Sequence, residues 1–289
     1  MKIVHLGRIA IVFAAVFLMA VSAAFGQTAG ETPEDKYAGF PPDMKRIFER
    51  GKLIVAMYHK DIPPFMYQDD KGNFRGFDVD MARDIAEKLG VEIEFNRSPQ
   101  TFNEIVDTVA YHQADLGISL ISATLARAEK VRFSRPYLVL HPTLIVNRLT
   151  ASSYSLKGKD PLKDLRNTDK KIGEKKGTSY VGFAKNIFTK AKIVEYEDWD
   201  PTMAAVLKGD VIAALRDEIG VKNYILQSPD LAIRLQMIVL KDLRDPLGIA
   251  VPSDSTHLLD WINIYLDRYQ PQITADDLLQ KYADIYEKK

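Results

Sequence analysis

Phe77-Asp78-Val79-Asp80-Met81-Ala82-Arg83-Asp84-Ile85-Ala86-Glu87-Lys88-Leu89-Gly90-Val91-Glu92-Ile93-Glu94-Phe95 spells a helix followed by a strand in two different periodicities. Met81, Ala82, Ile85, Ala86 and Leu89 recur at three- and four-residue spacing and form one apolar stripe on a helix. Asp78 is placed to cap its start and Gly90 to end it. Residues 91–95 then alternate as a strand does. Upstream, the apolar run 52–57 reads as a buried strand, and Pro63-Pro64 marks 61–67 as a loop. A short helix covers 44–50. Downstream, Ile105, Val106, Val109 and Ala110 place a helix over 102–111, and 114–121 is again strand-like. Strand, helix, strand, helix, strand in close succession predicts an α/β domain with a mostly parallel sheet. Ligands of such sheets sit beyond the carboxyl ends of the strands, here 57–65 and 119–127.

A second run of the same kind follows. Residues 138–147 are β-rich and 148–160 polar and loop-like. Ile172 leads into Gly177-Thr178-Ser179 and a helix to about 190. Strands at 193–196, 211–215, 236–240 and 247–251 alternate with helices at 201–207 and 218–227. Two helices, 255–269 and 275–287, close the chain.

The start of the chain reads differently. Lys2 and Arg8 precede an unbroken apolar run, 9–20, and Ala24-Phe25-Gly26 supplies small residues at the −3 and −1 positions of a cleavage site. That is a secretory signal peptide, 1–26, and its apolar run is short for a membrane span of about 20 residues. Residues 27–44 are polar and Pro-containing, a mobile leader. The chain has no cysteine, which excludes disulfides, cysteine-type zinc and a lipidated cysteine. Without 1–26, 37 Lys and Arg face 39 Asp and Glu, giving no electrostatic case for nucleic acid.

Three segments carry a family resemblance. The first is Gly72-x3-Gly76-Phe77-Asp78-Val79-Asp80-x-Ala82-x2-Ile85-Ala86-x2-Leu89-Gly90. The second is Ser122-x-Thr124-x2-Arg127-x5-Phe133-Ser134-x-Pro136-Tyr137. The third is Gly177-Thr178-Ser179 with Ala213-Ala214-Leu215-Arg216-Asp217-Glu218. The chain resembles family 3 of the extracellular solute-binding proteins, periplasmic receptors that deliver polar amino acids to ABC importers. The resemblance implies a two-lobe α/β fold of the periplasmic-binding-protein type II class. Lobe 1 would be discontinuous (45–146 and 245–289), lobe 2 would be 147–244, and two hinge strands near 144–147 and 242–248 would join them. It further implies a monomer in the periplasm, a small zwitterionic ligand, an inner-membrane ABC permease as partner, and no cofactor or metal.

The site residues follow. A ligand carboxylate wants a charged fork, which arginine supplies, and Arg127 lies beyond a strand end in a Ser/Thr-rich turn. By resemblance, Arg127 and Thr124 grip the carboxylate, while Ser122 and the Leu120 carbonyl face the ammonium. By the same resemblance, Thr178 and Ser179 reach that carboxylate from lobe 2, which suits them because free N–H groups at a helix start bind anions; an ordinary N-cap is compatible with that. Asp217 pairs with the ammonium by resemblance, though it also reads as an N-cap for 218–227. The first loop departs from the family's pattern, with Ile62 where an aromatic usually precedes Pro-Phe. Tyr58 or Phe102 then supplies the stacking face, and His59, Lys60 and Arg216 add positive charge that favours an acidic or uncharged ligand over lysine or arginine.

Catalysis has little support. The histidines at 59, 112, 141 and 257 form no H-E-x-x-H set, and there is no G-x-S-x-G elbow or cysteine nucleophile. The alternatives are a secreted enzyme on the same scaffold resembling cyclohexadienyl dehydratase, with Glu174 or Glu218 as general acid, and a ligand-sensing module for a separate sensor protein.

Overall fold

Short apolar runs bounded by turns become strands, and helices cover their faces. The computed structural model describes residues 36–153, 161–227 and 230–285. The expected signal segment and the leader up to residue 35 lie outside them. From Pro41 onward the chain forms one compact unit. Its strands, in chain order, are β1 (Lys52–Ala56), β2 (Tyr67–Gln68), β3 (Phe74–Arg75), β4 (Glu92–Asn96), β5 (Leu116–Gly117), β6 (Val131–Phe133), β7 (Leu138–Leu140), β8 (Pro142–Asn147), β9 (Lys171–Lys175), β10 (Lys192–Tyr196), β11 (Ala213–Asp217), β12 (Leu235–Val239), β13 (Asp245–Leu247) and β14 (Ala250–Pro252).

Two five-stranded sheets result, in the orders β4-β1-β5-β14-β6 and β10-β9-β11-β8-β12. In each, three parallel strands adjoin an antiparallel one, β14 in the first and β8 in the second. Parallel neighbours need helical crossovers, and the Phe77–Leu89 and Phe102–Ala110 helices provide them in the first sheet. Their stripes (Met81, Ala82, Ile85; Ile105, Val109) pack on Leu53, Val55 and Leu116 in one core. The second sheet has its own apolar clusters around Leu144, Ile172, Phe188 and Leu215, and around Ile145, Met203 and Val206. This is the two-lobe α/β architecture expected.

Several boundaries differ from the sequence reading. The first helix spans Pro42–Arg50, with Pro at its start. Asp43 is buried and accepts from Leu258 N at 3.0 Å, so the leader ends before residue 42 and not at 44. Asp78 caps nothing. Gly76 is the N-cap residue at φ 125°, and a Cβ there would lie 2.4 Å from the Phe65 carbonyl oxygen. Asp78 is instead fully buried and accepts from Leu120 N at 2.7 Å. The 148–160 stretch is not all loop. Asn147 Oδ1 accepts from Leu149 N at 3.0 Å and Thr150 N at 3.5 Å, capping an Arg148–Ser153 helix. Residues 154–160 lie outside the described residues.

The expected lobe limit at 146 and hinge at 144–147 both fall within a single strand, β8. The β-rich run breaks at His141, whose N–H goes to Glu218 Oε1. Beyond it, β8 pairs with β11 and β12 over its whole length, so residues 142–147 belong to the second sheet. The connecting strands are β7 and β13, an antiparallel pair of their own with Leu140 opposite Asp245. The expected strand over 247–251 likewise divides at Gly248 into β13 and β14, because β13 pairs with β7 while β14 turns into the first sheet.

Candidate functional site

The carboxyl ends of β1, β5, β9 and β11 converge on a cavity of about 270 Å³ between the two sheets. From the first sheet's side come Tyr58, Lys60, Ile62, Phe102, Leu120, Ser122 and Arg127. Lys175, Thr178, Ser179, Asp198, Trp199, Arg216 and Asp217 face them from the second, and Asp245 comes from β13. The two segments expected to frame a crevice, 57–65 and 119–127, both contribute.

Arg127 anchors one wall. Thr124 caps the short Leu125–Ala128 helix by accepting from Arg127 N, which fixes where the arginine side chain departs. Nη1 then donates to Ser122 O at 3.1 Å, while Nε and Nη2 donate to Asn103 Oδ1 at 3.3 and 3.2 Å. A guanidinium has five N–H groups, so one on each terminal nitrogen is left to donate. Burial lowers the Arg127 pKa to about 10, with Asp245 acting against that fall. Leu120 sits at φ 52°, a conformation uncommon for a residue with a side chain. The hydrogen bond from its N–H to Asp78 holds it there. Burial raises the Asp78 pKa to about 7 against that bond; the nearby Tyr137 hydroxyl favours the ionised form without a well-aligned hydrogen bond.

Opposite, the Ser179–Ile187 helix begins at the cavity. Thr178 occupies its N-cap position but turns its hydroxyl back to Lys175 O at 2.8 Å, so no side chain caps the first-turn N–H groups. Ser179 Oγ meets Ser122 Oγ at 2.8 Å, and Ser122 Oγ donates to Asp245 Oδ2 at 3.1 Å. Tyr180 OH donates to the same oxygen at 2.9 Å, while Asp245 Oδ1 is buried without a partner. Burial raises the Asp245 pKa to about 6, the Ser122 and Tyr180 bonds oppose the rise, and Asp217 adds to it. Asp217 lines the cavity, and its Oδ1 accepts from Gly220 N at 2.6 Å as a cap does. Arg216 lies 4.6 Å over the Trp199 ring with Nε 3.6 Å from Asp217 Oδ2. A Cβ on Gly220 would fall 2.1 Å from that Nε, so the glycine makes room for the arginine.

At the end of β9, Lys175 Nζ donates to Tyr58 OH at 3.1 Å and to Asp198 Oδ1 at 2.9 Å, and Lys60 reaches Asp198 Oδ2. Burial alone would raise the Asp198 carboxyl, but the bonds from Lys60 and Lys175 outweigh it and hold the group well below the usual carboxylate range. Tyr58 and Phe102, offered as alternatives, stack on each other at 5.0 Å and both face the cavity. The lobes touch through Ser122–Ser179, Lys175–Tyr58, Lys60–Asp198 and Asn223 Nδ2 to Pro63 O at 2.6 Å, a closed arrangement.

Of the expected residues, Tyr58, Phe102, Leu120, Ser122, Arg127, Thr178, Ser179 and Asp217 line the cavity. Thr124 does not, because capping occupies it. His59 does not either; its ring packs edge-on against Tyr58 at 4.6 Å. Glu174 and Glu218 also stand outside. Glu174 is buried behind β11, accepting from Leu215 N at 3.1 Å, and Glu218 holds His141 N. Lys175, Tyr180, Asp198, Trp199 and Asp245 were missed. Two of them carried a readable signal: Lys175 ends a parallel strand, and Asp198 precedes a helix whose Pro201 fits a first turn. Among the described residues no cluster of three His, Cys, Asp or Glu is arranged for a metal, and no helix is long and apolar enough to cross a membrane.

The sequence profile of the bacterial extracellular solute-binding proteins, family 3, matches residues 54–285. The chain is similar to the L-cystine-binding protein of Escherichia coli (strain K12), 26% identical over 289 residues and 99% of each chain. It is also similar to the solved structure of an amino acid ABC transporter substrate-binding protein of Streptococcus pneumoniae bound to L-arginine. That match has a TM-score of 0.68 at 27% identity, over 85% of this chain and 100% of that one. A cyclohexadienyl dehydratase of Pseudomonas aeruginosa matches at 38% identity, over 95 residues, 33% of this chain and 34% of the enzyme.

Proposed function

Because the chain belongs to family 3 of the bacterial extracellular solute-binding proteins, we propose that it is an exported receptor that closes two lobes around one free amino acid and delivers it to an inner-membrane ABC permease. The observation that carries this reading is Arg127. Three of its N–H groups are spent on Ser122 O and Asn103, and the remaining pair shares a cavity with an uncapped helix N-terminus from the other lobe. An α-carboxylate completes both, and Asp217 and Asp245 stand in the same cavity for the ammonium. Each lobe holds half of the partners, so ligand favours the closed arrangement and shifts an open–closed equilibrium. Rotation occurs about β7 and β13, whose two-stranded ladder joins the lobes without belonging to either large sheet. The receptor acts as a monomer in the periplasm after removal of the 1–26 segment; the closed form is what the permease, or a separate sensor protein, recognises.

A thermal-shift screen of the common amino acids, L-cystine and their desamino analogues tests this. A specific ligand at a hundredfold excess over its Kd adds about 2.7 kcal/mol of apparent stability. The expected result is stabilisation by one or a few amino acids, recovered unchanged. No response to any amino acid, or turnover of prephenate or arogenate on the order of 1 per second, overturns the reading. Against the enzyme, neither Glu174 nor Glu218 lines the cavity, where a general acid has to be within reach of its substrate.

A further inference from the structure

Lys175 is an unusual residue to find in a cavity wall. It is only 7% exposed, although a lysine is rarely so buried unless paired. Its ammonium has three N–H groups. One goes to Tyr58 OH and one to Asp198 Oδ1, and the third has no acceptor among the described residues. Nor does Asp198 belong to Lys175 alone: its other oxygen takes Lys60. One carboxylate therefore serves two ammonium groups, and the triad carries a net positive charge. The surrounding acids do not cancel it. Asp61 is held by Arg97 at 2.9 Å, and Asp200, on the same wall, is exposed and screened by water. The same charges act on His59. Burial lowers the pKa of its ring first, then Lys60, Lys175 and Arg97 lower it further, with Asp198 alone acting the other way.

No hydrogen bond joins the side chains of this triad to those of Arg127, Ser122, Asp217 and Asp245, yet both groups line one cavity. The first group is under-supplied with negative charge, and the second is built for an α-amino-carboxylate end. Resting on the receptor reading above, the geometry points to Lys175 as the specificity-determining residue, which accepts a carboxylate at the far end of the ligand. The ligand class is then an amino acid whose side chain ends in a carboxylate, either a simple dicarboxylic amino acid or a double-headed one with a second α-amino-carboxylate. The stacked Tyr58 and Phe102 rings supply the apolar wall between the ends. A lysine or arginine side chain brings a like charge towards Lys175 and is rejected, since specificity comes from repulsion as well as attraction.

Calorimetry with L-glutamate, L-cystine, L-glutamine and L-arginine tests this on the wild type, Lys175→Met and Asp198→Asn. The wild type is expected to bind L-glutamate or L-cystine at least tenfold more tightly than L-arginine; which of the two is preferred separates the single-headed from the double-headed ligand. Lys175→Met keeps the length of the side chain. It should lose at least tenfold for the preferred ligand while changing L-glutamine by less than threefold. Asp198→Asn keeps the helix cap, because asparagine caps as well as aspartate, and frees both lysines. Affinity for the distal carboxylate should hold or rise. A wild type that binds amino acids but prefers L-arginine refutes the Lys175 assignment alone, as does an equal loss for L-glutamate and L-glutamine. A wild type that binds no amino acid refutes the receptor reading and this inference together. Should Lys175→Met fail to fold, a tenfold loss of the preferred ligand in Asp198→Asn still refutes it.

Discussion

Replacing Arg127 by alanine separates ligand binding from folding, and the structure supplies the sign of both effects. The side chain makes hydrogen bonds to Ser122 O and Asn103 Oδ1. Bonds from a charged donor such as this cost about 1.5–3 kcal/mol each when lost. Against this, burial has pulled the Arg127 pKa from 12.5 to about 10. At 1.36 kcal/mol per pKa unit, holding the charge in place costs on the order of 3 kcal/mol, which alanine relieves. The two effects oppose each other, so the variant is expected to lose less stability than the bonds alone contribute and to stay folded. The ligand-bound state has no such compensation. Truncating one partner of a buried, hydrogen-bonded charge pair costs about 2–5 kcal/mol, so affinity should fall by about 30- to 4,000-fold. Arg127→Lys keeps the charge but not the fork and should still lose at least about tenfold. Urea denaturation measures the first quantity and isothermal titration calorimetry the second. Binding within threefold of wild type, or a loss of affinity that merely tracks unfolding, refutes the reasoning.

Three other outcomes follow from the same contacts. Asp217→Asn keeps the cap on Gly220 N but loses the charge, so affinity for amino acids should fall at least about tenfold in calorimetry while desamino carboxylic acids change much less. Asp245, pushed up to about 6 by burial, has one oxygen free for an ammonium. The ionised form is the one that binds a cation, so affinity should weaken as pH falls through about 6, and Asp245→Asn should flatten that titration. Asp78 is raised from 3.8 to about 7 in the fold. A raised carboxyl contributes stability that is fully present below about 3.8 and is lost as pH rises through about 7, on the order of 4 kcal/mol in all. Asp78→Asn still accepts from Leu120 N, and denaturation curves between pH 4 and 8 should show it losing less stability with rising pH than wild type.

The local periodicities of this chain determine its elements and its class. The stripe from Met81 to Leu89 and the run from Leu53 to Ala56 are a helix face and a buried strand whatever surrounds them, and their alternation makes a parallel sheet with a crevice at its strand ends. It was the family resemblance, added to that, which pointed to Arg127, Ser122 and Asp217, and all three line the cavity. The lobe boundary was not legible, because β7 and β8 lie in one β-rich stretch and only pairing partners distinguish them: β13 for the first, β11 and β12 for the second. The same holds for side chains whose role is a contact between distant segments. Nothing within a few residues of Asp245 sends it to Ser122, 123 positions away, or to Tyr180; nothing near Lys175 sets it against Tyr58 across 117 positions. Thr124 and His59 show the converse, residues in a suggestive neighbourhood whose side chains were already taken, by a helix cap and by an aromatic edge. Propensity and periodicity act over a turn or a strand, so they decide what each segment becomes. Which side chains share a cavity depends on how two separately built sheets are brought face to face, and only the tertiary structure decides that.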